Sequence, residues 1–439
     1  MTGHATAMTG TTEVSPARAP EEPPRRAAAD RLRGAWTRLR GAWTWLRGAW
    51  ARLPARWRFV VGLFLAAKAI MMLAVTIAVR AFGGVFAAMP EPVRQNFAAR
   101  ETVFPSHHSL SMWFAWDTLH YTRLVEQPIT GPGSDPILQF CFPPLYPLLG
   151  KLVAPLVGGH AAVALFLISN AGFLMLLYYA YRLAERLWQD EADARRFTRY
   201  VVLMPTAFLF QAALTESVFL CLVLACFYYA EDRCWLLAGI LGGFAALTRS
   251  LGFLLVFPLA VLLLQQGGYR LRLRALGQYL KVGWPLVLVP GGWALFLLYS
   301  KVRTGDWLRY QHLQESRWGI HLQNPVRFLA HSLLHPHTGA DQVRMGFALA
   351  YLLTTIVAIR YLKPAYVVYA AIFILMPLSI GVPGYNSILR YLLVVFPVAM
   401  LCARWGRRPG IDTWLTAGLA LIQGVLLVAW ANTWTSFVV

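Results

Sequence analysis

Long apolar runs recur along the chain and limit the folds that it can adopt. A run of about 20 apolar residues crosses the ~30 Å hydrocarbon layer of a membrane as one helix. The first such run is 59–79, and the mean hydropathy of the chain is +0.51. Because the backbone in lipid must make its hydrogen bonds within helices, the runs predict an all-α polytopic membrane protein with about eleven spans. The later runs are 141–157, 161–182, 200–230, 235–248, 251–265, 281–300, 346–361, 364–381, 390–405 and 411–430.

Two of these runs leave alternatives open. The run 141–157 is short and rich in proline, so it is either a span or a re-entrant segment. The run 200–230 is either one long helix or two short helices that break near Thr215 and Glu216. If the run 141–157 crosses the membrane and the run 200–230 is one helix, the number of spans is odd. The number is the same if the run 141–157 is re-entrant and the run 200–230 is two helices.

Basic residues set the predicted orientation of these spans. The net charge of +20 is concentrated in the N-terminal segment and in short loops. Such segments stay in the cytoplasm, so the N-terminus is predicted to be cytoplasmic and the C-terminus extracytoplasmic. The loops 81–140 and 301–345 then lie outside the cell. This distribution argues against nucleic-acid binding, and the composition, rich in Arg and Ala and poor in Lys, indicates the plasma membrane of a bacterium.

The region before the first span divides into two parts. Residues 1–30 contain no apolar run and are predicted to be disordered. Residues 31–58 carry a seven-residue Leu/Trp repeat, which places both residue types on one stripe of a helix with arginines around it. This pattern favours an amphipathic helix on anionic membrane lipid, with an oligomerisation helix or a disordered arm as alternatives. The repeat consists of Leu32, Leu39, Leu46 and Leu53 with Trp36, Trp43, Trp50 and Trp57.

An acidic residue stands in an aromatic segment, 113–121, in the first outer loop. Asp117 is predicted either to cap the helix that follows or to act as a functional acid, and the two roles are compatible. His120 falls on the same helical face, three residues later. The histidines of the second outer loop lack the carboxylate or cysteine partners of a convincing metal site, so neither a metal nor a cofactor is expected. The domain that carries these loops is predicted to span 59–439.

Two arginines break the charge rule because they lie at the outer ends of apolar runs. Arg249 sits between two adjacent runs, and Arg390 opens the next-to-last run. Each either extends its side chain to water or binds an anion, and guanidinium is well shaped for bidentate contact with phosphate. Glu216, in an apolar segment, is either functional or the partner of one of these arginines.

Six motifs in order resemble those of the PIG-V-like glycosyltransferases, relatives of the GPI mannosyltransferase that adds the second mannose, within the GT-C superfamily. The resemblance covers about 59–405. The sequence departs from the family pattern at 125–128, where a glycine-tyrosine turn is usual. The motifs are Trp116-Asp117-Thr118-Leu119-His120-Tyr121, Phe142-Pro143-Pro144-Leu145-Tyr146-Pro147, Thr215-Glu216-Ser217-Val218-Phe219-Leu220, Leu236-Leu237-Ala238-Gly239 through Ala245-Ala246-Leu247-Thr248-Arg249, Thr304-Gly305-Asp306-Trp307, and Ser387-Ile388-Leu389-Arg390-Tyr391 running into Phe396-Pro397.

The resemblance implies a GT-C-type helical bundle and an inverting mannosyltransferase with a polyprenyl-phosphate donor. A glycolipid or glycan on the extracytoplasmic face would be the acceptor. Asp117 would be the general base, with a pKa that we expect burial to raise, and Arg249, Arg390 and His120 would bind the donor phosphate. The alternatives are transfer of another lipid-linked sugar, such as arabinose, and a transporter or flippase. Further candidate substrate contacts are Trp116, Tyr121, Glu216, Trp307, His312 and Tyr391.

Overall fold

The structure is a computed structural model, and the described part of the chain is helical throughout, with turns and short loops but no β-strand. The predicted all-α class is therefore confirmed for these residues. The chain divides into two compact units, Met1–Arg58 and Phe59–Val439. The described residues are 24–87, 108–114, 116–131, 133–135, 137–270, 272–336, 339–381 and 387–431.

Nineteen α-helices make up the described part of the chain, joined in places by single 3-10 turns. They are α1 (Pro24–Arg52), α2 (Ala55–Ala87), α3 (His108–Ser111), α4 (Thr118–Glu126), α5 (Leu145–Val153), α6 (Ala161–Trp188), α7 (Glu191–Leu203), α8 (Glu216–Glu231), α9 (Trp235–Thr248), α10 (Val256–Gln266), α11 (Leu273–Gly283), α12 (Leu288–Thr304), α13 (Arg309–Trp318), α14 (Pro325–Leu334), α15 (Gly339–Ala358), α16 (Pro364–Ser379), α17 (Ile388–Leu392), α18 (Phe396–Trp405) and α19 (Pro409–Ala431).

Four helices in the described residues are long and apolar enough to cross a membrane. The predicted count of about eleven spans stays a prediction. The run 141–157 folds as α5 followed by a 3-10 turn, and these 13 residues are too short for a straight span of the ~30 Å hydrocarbon layer. The four long helices are Ala55–Ala81, Ala161–Trp188, Leu276–Thr304 and Pro409–Ala431.

The first unit contains the helix that the Leu/Trp repeat predicts. Helix α1 begins at Pro24, so the predicted boundary at residue 31 lies inside it, and residues 1–23 of the predicted arm lie outside the described part. Trp36 and Trp43 are 70% and 57% exposed, and the guanidinium of Arg47 lies 5.2 Å from the ring centre of Trp43. Contact of this helix with anionic lipid stays a prediction.

The run 200–230 is interrupted in the middle of the second unit. Helix α7 ends at Leu203, a 3-10 turn covers Ala207–Gln211, and α8 begins only at Glu216. The two-helix alternative therefore describes this run, and the residues between the helices are buried. Buried backbone groups outside helices require partners, and backbone and side-chain groups from distant elements supply them here.

These partners hold the Asp117 segment against the start of α8. Trp113 accepts a backbone hydrogen bond from the N–H of Ala213 at 2.8 Å, and the Thr118 hydroxyl donates to the carbonyl of Ala213 at 2.9 Å. The Ser169 hydroxyl donates to the carbonyl of Leu214 at 2.7 Å. The break in the run 200–230 is thus the point at which the segment around Asp117 attaches to the other helices.

Candidate active site

Asp117 occupies the N-cap position of α4, but its carboxylate does not cap the helix. Its Oδ2 accepts a hydrogen bond from Nη1 of Arg390 at 2.5 Å instead. The Asp117 side chain is 30% exposed, whereas that of Arg390 is only 7% exposed. The carboxylate therefore does not have the predicted capping role. It pairs with a buried arginine and stays partly exposed.

Glu216 joins Arg390 to Arg249. It is the first residue of α8, its side chain is fully buried, and its Oε1 accepts hydrogen bonds from Nε of Arg390 and Nη1 of Arg249. Arg249 also donates to the Thr215 hydroxyl at 3.2 Å. Both arginines therefore point to carboxylates inside the protein, which excludes the alternative that each merely extends to water.

The backbone places Arg249 and Arg390 at this point for local reasons. Helix α9 ends at Thr248, and Arg249 is extended, with φ −143° and ψ 137°, before the next 3-10 turn. Arg390 lies in the short helix α17. The carbonyl of the preceding residue, Leu389, accepts a hydrogen bond from the Thr206 hydroxyl at 2.9 Å. The start of α8, the end of α9 and the short helix α17 thus bring the charged groups together.

A cavity of about 810 Å³ opens beside this network. Of the predicted site residues, six line it: Trp116, Asp117, Tyr121, Arg249, Arg390 and Tyr391. The ring of Tyr391 lies 5.3 Å from the guanidinium of Arg249. The remaining lining residues are Cys141, Phe142, Pro143, Thr215, Thr248, Ser250, Leu251, Tyr310, Gln314, Arg317, Trp318, Gly319, Ile320, Arg344, Ile380 and Ser387.

Trp116 has an unusual backbone conformation immediately before Asp117. Its φ of 57° lies in the left-handed region, which bulky residues rarely adopt. Such a conformation costs roughly 1–3 kcal/mol and persists only where the surroundings enforce it. The indole Nε1 is buried and has no hydrogen-bond partner among the described residues. The strained residue therefore stands directly before Asp117 in the chain.

The pKa of Asp117 is lowered, which corrects the expectation that burial would raise it. Burial does act to raise this pKa, but the charge of Arg390 and its hydrogen bond, with the charges of His120 and Arg249, outweigh that effect. The expectation was wrong because the sequence did not show an arginine in contact. Asp117 is therefore ionised at neutral pH. Burial, with a contribution from the Asp117 charge, raises the pKa of Tyr121, so that phenol is neutral.

The other predicted candidates have different positions. His120 does not line the cavity, but its ring stacks on Phe142, which does, at 5.3 Å between centroids. Trp307 is 48% exposed, and His312 places its Nδ1 2.8 Å from Oδ2 of Asp306; neither residue lines the cavity. Glu216 contacts the arginines from behind the cavity wall.

The described residues contain no group of three or more side chains that are placed to hold a metal ion. Among the histidines of the segment 301–345, His331 and His335 have ring centroids 5.1 Å apart. His337 lies outside the described residues.

Sequence reasoning did not select Arg344, which lines the cavity and is buried. It pairs with Asp341, three residues earlier on α15, at 3.3 Å. The rule that selected Arg249 and Arg390, a basic residue at the outer end of an apolar run, applies equally to Arg344, which precedes the run 346–361. Tyr310 was also missed, because its contact, a 3.0 Å hydrogen bond to the Ser250 hydroxyl, joins distant parts of the chain.

A second cavity of about 350 Å³ shares the Phe142 side chain with the first. Its wall is almost entirely apolar and is formed by residues of α4, α5, α9 and α12 with the loops between them. The exposed Leu148 and Leu295 lie in this wall. A polar cavity with several charges and an apolar cavity are therefore neighbours across one aromatic ring.

Comparisons with known proteins leave the family open. No protein-family model and no curated protein matches the sequence. Among solved structures, ArnT from Cupriavidus metallidurans bound to undecaprenyl phosphate is similar at 13% identity over 77% of this chain and 75% of that chain, with a TM-score of 0.44. The Archaeoglobus fulgidus oligosaccharyltransferase in complex with zinc and sulfate is similar at 18% identity over 73% of this chain and 49% of that chain, with a TM-score of 0.36. Similarity at this level establishes neither the fold family nor the activity of this chain.

Proposed function

We propose that this protein is a membrane glycosyltransferase that moves a sugar from a polyprenyl phosphate to a hydroxyl group of a glycolipid or glycan. One observation carries the proposal: the partly exposed carboxylate of Asp117, held by buried Arg390, lies in the wall of an 810 Å³ cavity that four arginines line. An ionised acid beside a concentration of positive charge fits a reaction that removes a proton and releases a phosphate. The motif resemblance supports mannose as the sugar.

In the proposed reaction, the Asp117 carboxylate takes the proton of the acceptor hydroxyl. The acceptor oxygen forms a bond to the anomeric carbon from the face opposite the lipid phosphate, so the configuration inverts. The bond between that carbon and the phosphate oxygen breaks, and its electron pair passes to the phosphate. The arginines that line the cavity supply positive charge near the leaving group, and such preorganised charge is typically worth on the order of a hundredfold in rate per contact.

The low pKa of Asp117 is compatible with this role. The carboxylate is ionised at neutral pH and can accept a proton. A weak base suffices, because the acceptor hydroxyl becomes acidic as its oxygen forms the bond to the sugar. Arg390 therefore keeps the base ionised and orients it, while the strained Trp116 fixes the backbone before it. The apolar cavity next to Phe142 offers a surface to the isoprenoid chain of the donor.

The test is transfer activity in proteoliposomes with polyprenyl-phosphate-mannose and candidate glycolipid acceptors. We expect Asp117→Asn to lower kcat by about a hundredfold or more, because general-base catalysis contributes on that order. Asp232→Asn, which alters a carboxylate that is also 30% exposed and pairs with an arginine, Arg186, but does not line the cavity, serves as the matched control and should retain activity. Thermal unfolding of both variants checks that they fold.

Each other outcome separates the alternatives. An Asp117→Asn variant with full transfer activity removes Asp117 as the base. If the protein transfers sugar from a polyprenyl-phosphate-arabinose donor and not from the mannose donor, arabinose replaces mannose in the proposal and the proposed reaction stands. Movement of the donor across the bilayer with no sugar transfer supports the transporter alternative instead.

A further inference from the structure

Among the residues that the structure describes, the charges around the cavity do not balance, and the excess is positive. Arg249, Arg317, Arg344 and Arg390 line the cavity together with one carboxylate, that of Asp117. Two further carboxylates pair with these arginines from behind: Glu216 binds Arg249 and Arg390, and Asp341 binds Arg344. The arginines therefore exceed the carboxylates by one. Arg249 and Arg390, already matched by Asp117 and Glu216, do not supply this excess.

Arg317 is the cavity arginine without a carboxylate. Its side chain is exposed, and it makes no ion pair with any residue that the structure describes. It lies in the last turn of α13, and the cavity is lined by Tyr310, Gln314 and Arg317, which follow at helical spacing along one face of that helix. The face of α13 that carries Arg317 therefore lies against the cavity.

Helix α13 is docked firmly enough to make Arg317 part of the cavity wall. The Gln314 amide donates to the carbonyl of Cys141 at 2.9 Å, and the Tyr310 hydroxyl donates to Ser250 at 3.0 Å. The next residue, Trp318, packs edge-on against Phe142 at 6.1 Å between ring centroids. The helix that carries Arg317 is therefore attached to two separate segments that also line the cavity, one at Cys141 and Phe142 and one at Ser250.

We propose that Arg317 forms the anion subsite that holds the phosphate of the lipid-linked donor, while Arg390 and Glu216 are positioning residues for Asp117. This inference rests on the proposed function. The donor is a phosphodiester with one negative charge, which matches the single positive charge in excess. When the sugar leaves, the electron pair of the broken bond turns the phosphate into a monoester with a charge of about −1.5 to −2, which arginine donors stabilise further.

The division of labour is chemically reasonable. An arginine that is saturated by carboxylates has little remaining charge for a substrate, whereas an exposed and unmatched arginine binds phosphate in bidentate geometry. Arg317 is also exposed, so a charged headgroup can reach it. Binding there places the sugar between the phosphate and Asp117.

The test measures binding without turnover, in the purified full-length protein in lipid nanodiscs. The probes are farnesyl phosphate and farnesol, which differ only in the phosphate, and quenching of tryptophan fluorescence reports their Kd. We expect Arg317→Gln to weaken farnesyl phosphate about tenfold, as the loss of one charged hydrogen-bond contact predicts, and to leave farnesol unchanged. Arg317→Lys should lie between the two, because it keeps the charge but loses the bidentate geometry.

Arg303→Gln is the matched control, since Arg303 is exposed in the same outer region and does not line the cavity. It should bind both probes as the parent does. Arg317→Gln binding farnesyl phosphate as tightly as the parent, or losing no more than Arg303→Gln, overturns the subsite and leaves the proposed function standing. A parent that binds farnesyl phosphate no more tightly than farnesol overturns the lipid-phosphate donor itself.

Discussion

Replacing Glu216 by Gln tests the network that holds Asp117. Glu216 is fully buried, and one of its oxygens accepts hydrogen bonds from both Arg249 and Arg390. The amide keeps the shape and one acceptor but removes the negative charge. Two largely buried guanidinium groups, 13% and 7% exposed, then share the single carboxylate of Asp117. The substitution therefore isolates the value of the charge.

Removing one partner of a buried ion pair typically costs 3–5 kcal/mol, roughly, because a buried charge is left uncompensated. Glu216→Gln keeps part of the hydrogen bonding, so we expect a loss of about 3 kcal/mol in the free energy of unfolding. Transfer activity should also fall, since Arg390 loses the contact that orients it towards Asp117. The donor Kd should change less than kcat, because Glu216 does not line the cavity.

The matched control is Glu231→Gln, the same substitution at the other end of α8. Glu231 accepts from the Tyr366 hydroxyl at 2.9 Å and pairs at 2.7 Å with Lys363, whose side chain is 41% exposed. A pair with an exposed partner contributes little, so we expect a loss of about 1 kcal/mol and normal activity. Equilibrium unfolding in mixed micelles gives both values. If Glu216→Gln is no less stable than Glu231→Gln, the buried network does not stabilise the site as argued.

Two further predictions concern pH and helix packing. The lowered pKa of Asp117 keeps the base ionised, so the pH profile of kcat/KM should show no acid limb above about pH 4, and Arg390→Gln should move the acid limb upward. The stability that this carboxylate contributes should be lost only as pH falls through its folded pKa. An acid limb near pH 6 in the parent protein, or one that Arg390→Gln leaves in place, contradicts this. A Cβ at Gly243 would lie 2.7 Å from the Leu288 carbonyl oxygen, so Gly243→Ala should lower the free energy of unfolding by roughly 1–3 kcal/mol. Gly291→Ala, where a Cβ would lie in open space on α12, should not lower it. Equal stability of the two variants refutes close packing of α9 on α12.

The sequence alone determined the class of structure, because hydropathy and helical period are local properties. Apolar runs predict helices wherever the chain places them, and α6 and α19 follow the predicted runs closely. The same logic selected Asp117, Arg249 and Arg390, since a charge at the end of an apolar run is conspicuous before any fold is known. It also left open the break in the run 200–230.

Which charges meet was decided only by the tertiary structure. Arg390 and Asp117 are 273 positions apart, and no local pattern predicts their contact. Electrostatic energy depends steeply on distance and on burial, so this contact, together with the charges of His120 and Arg249, lowered the Asp117 pKa against the effect of burial and reversed the expectation. Three-dimensional placement likewise brought Arg317 and Arg344 to the cavity and left Trp307 and His312 outside its wall. A sequence shows which groups need partners; the packing of distant helices assigns them.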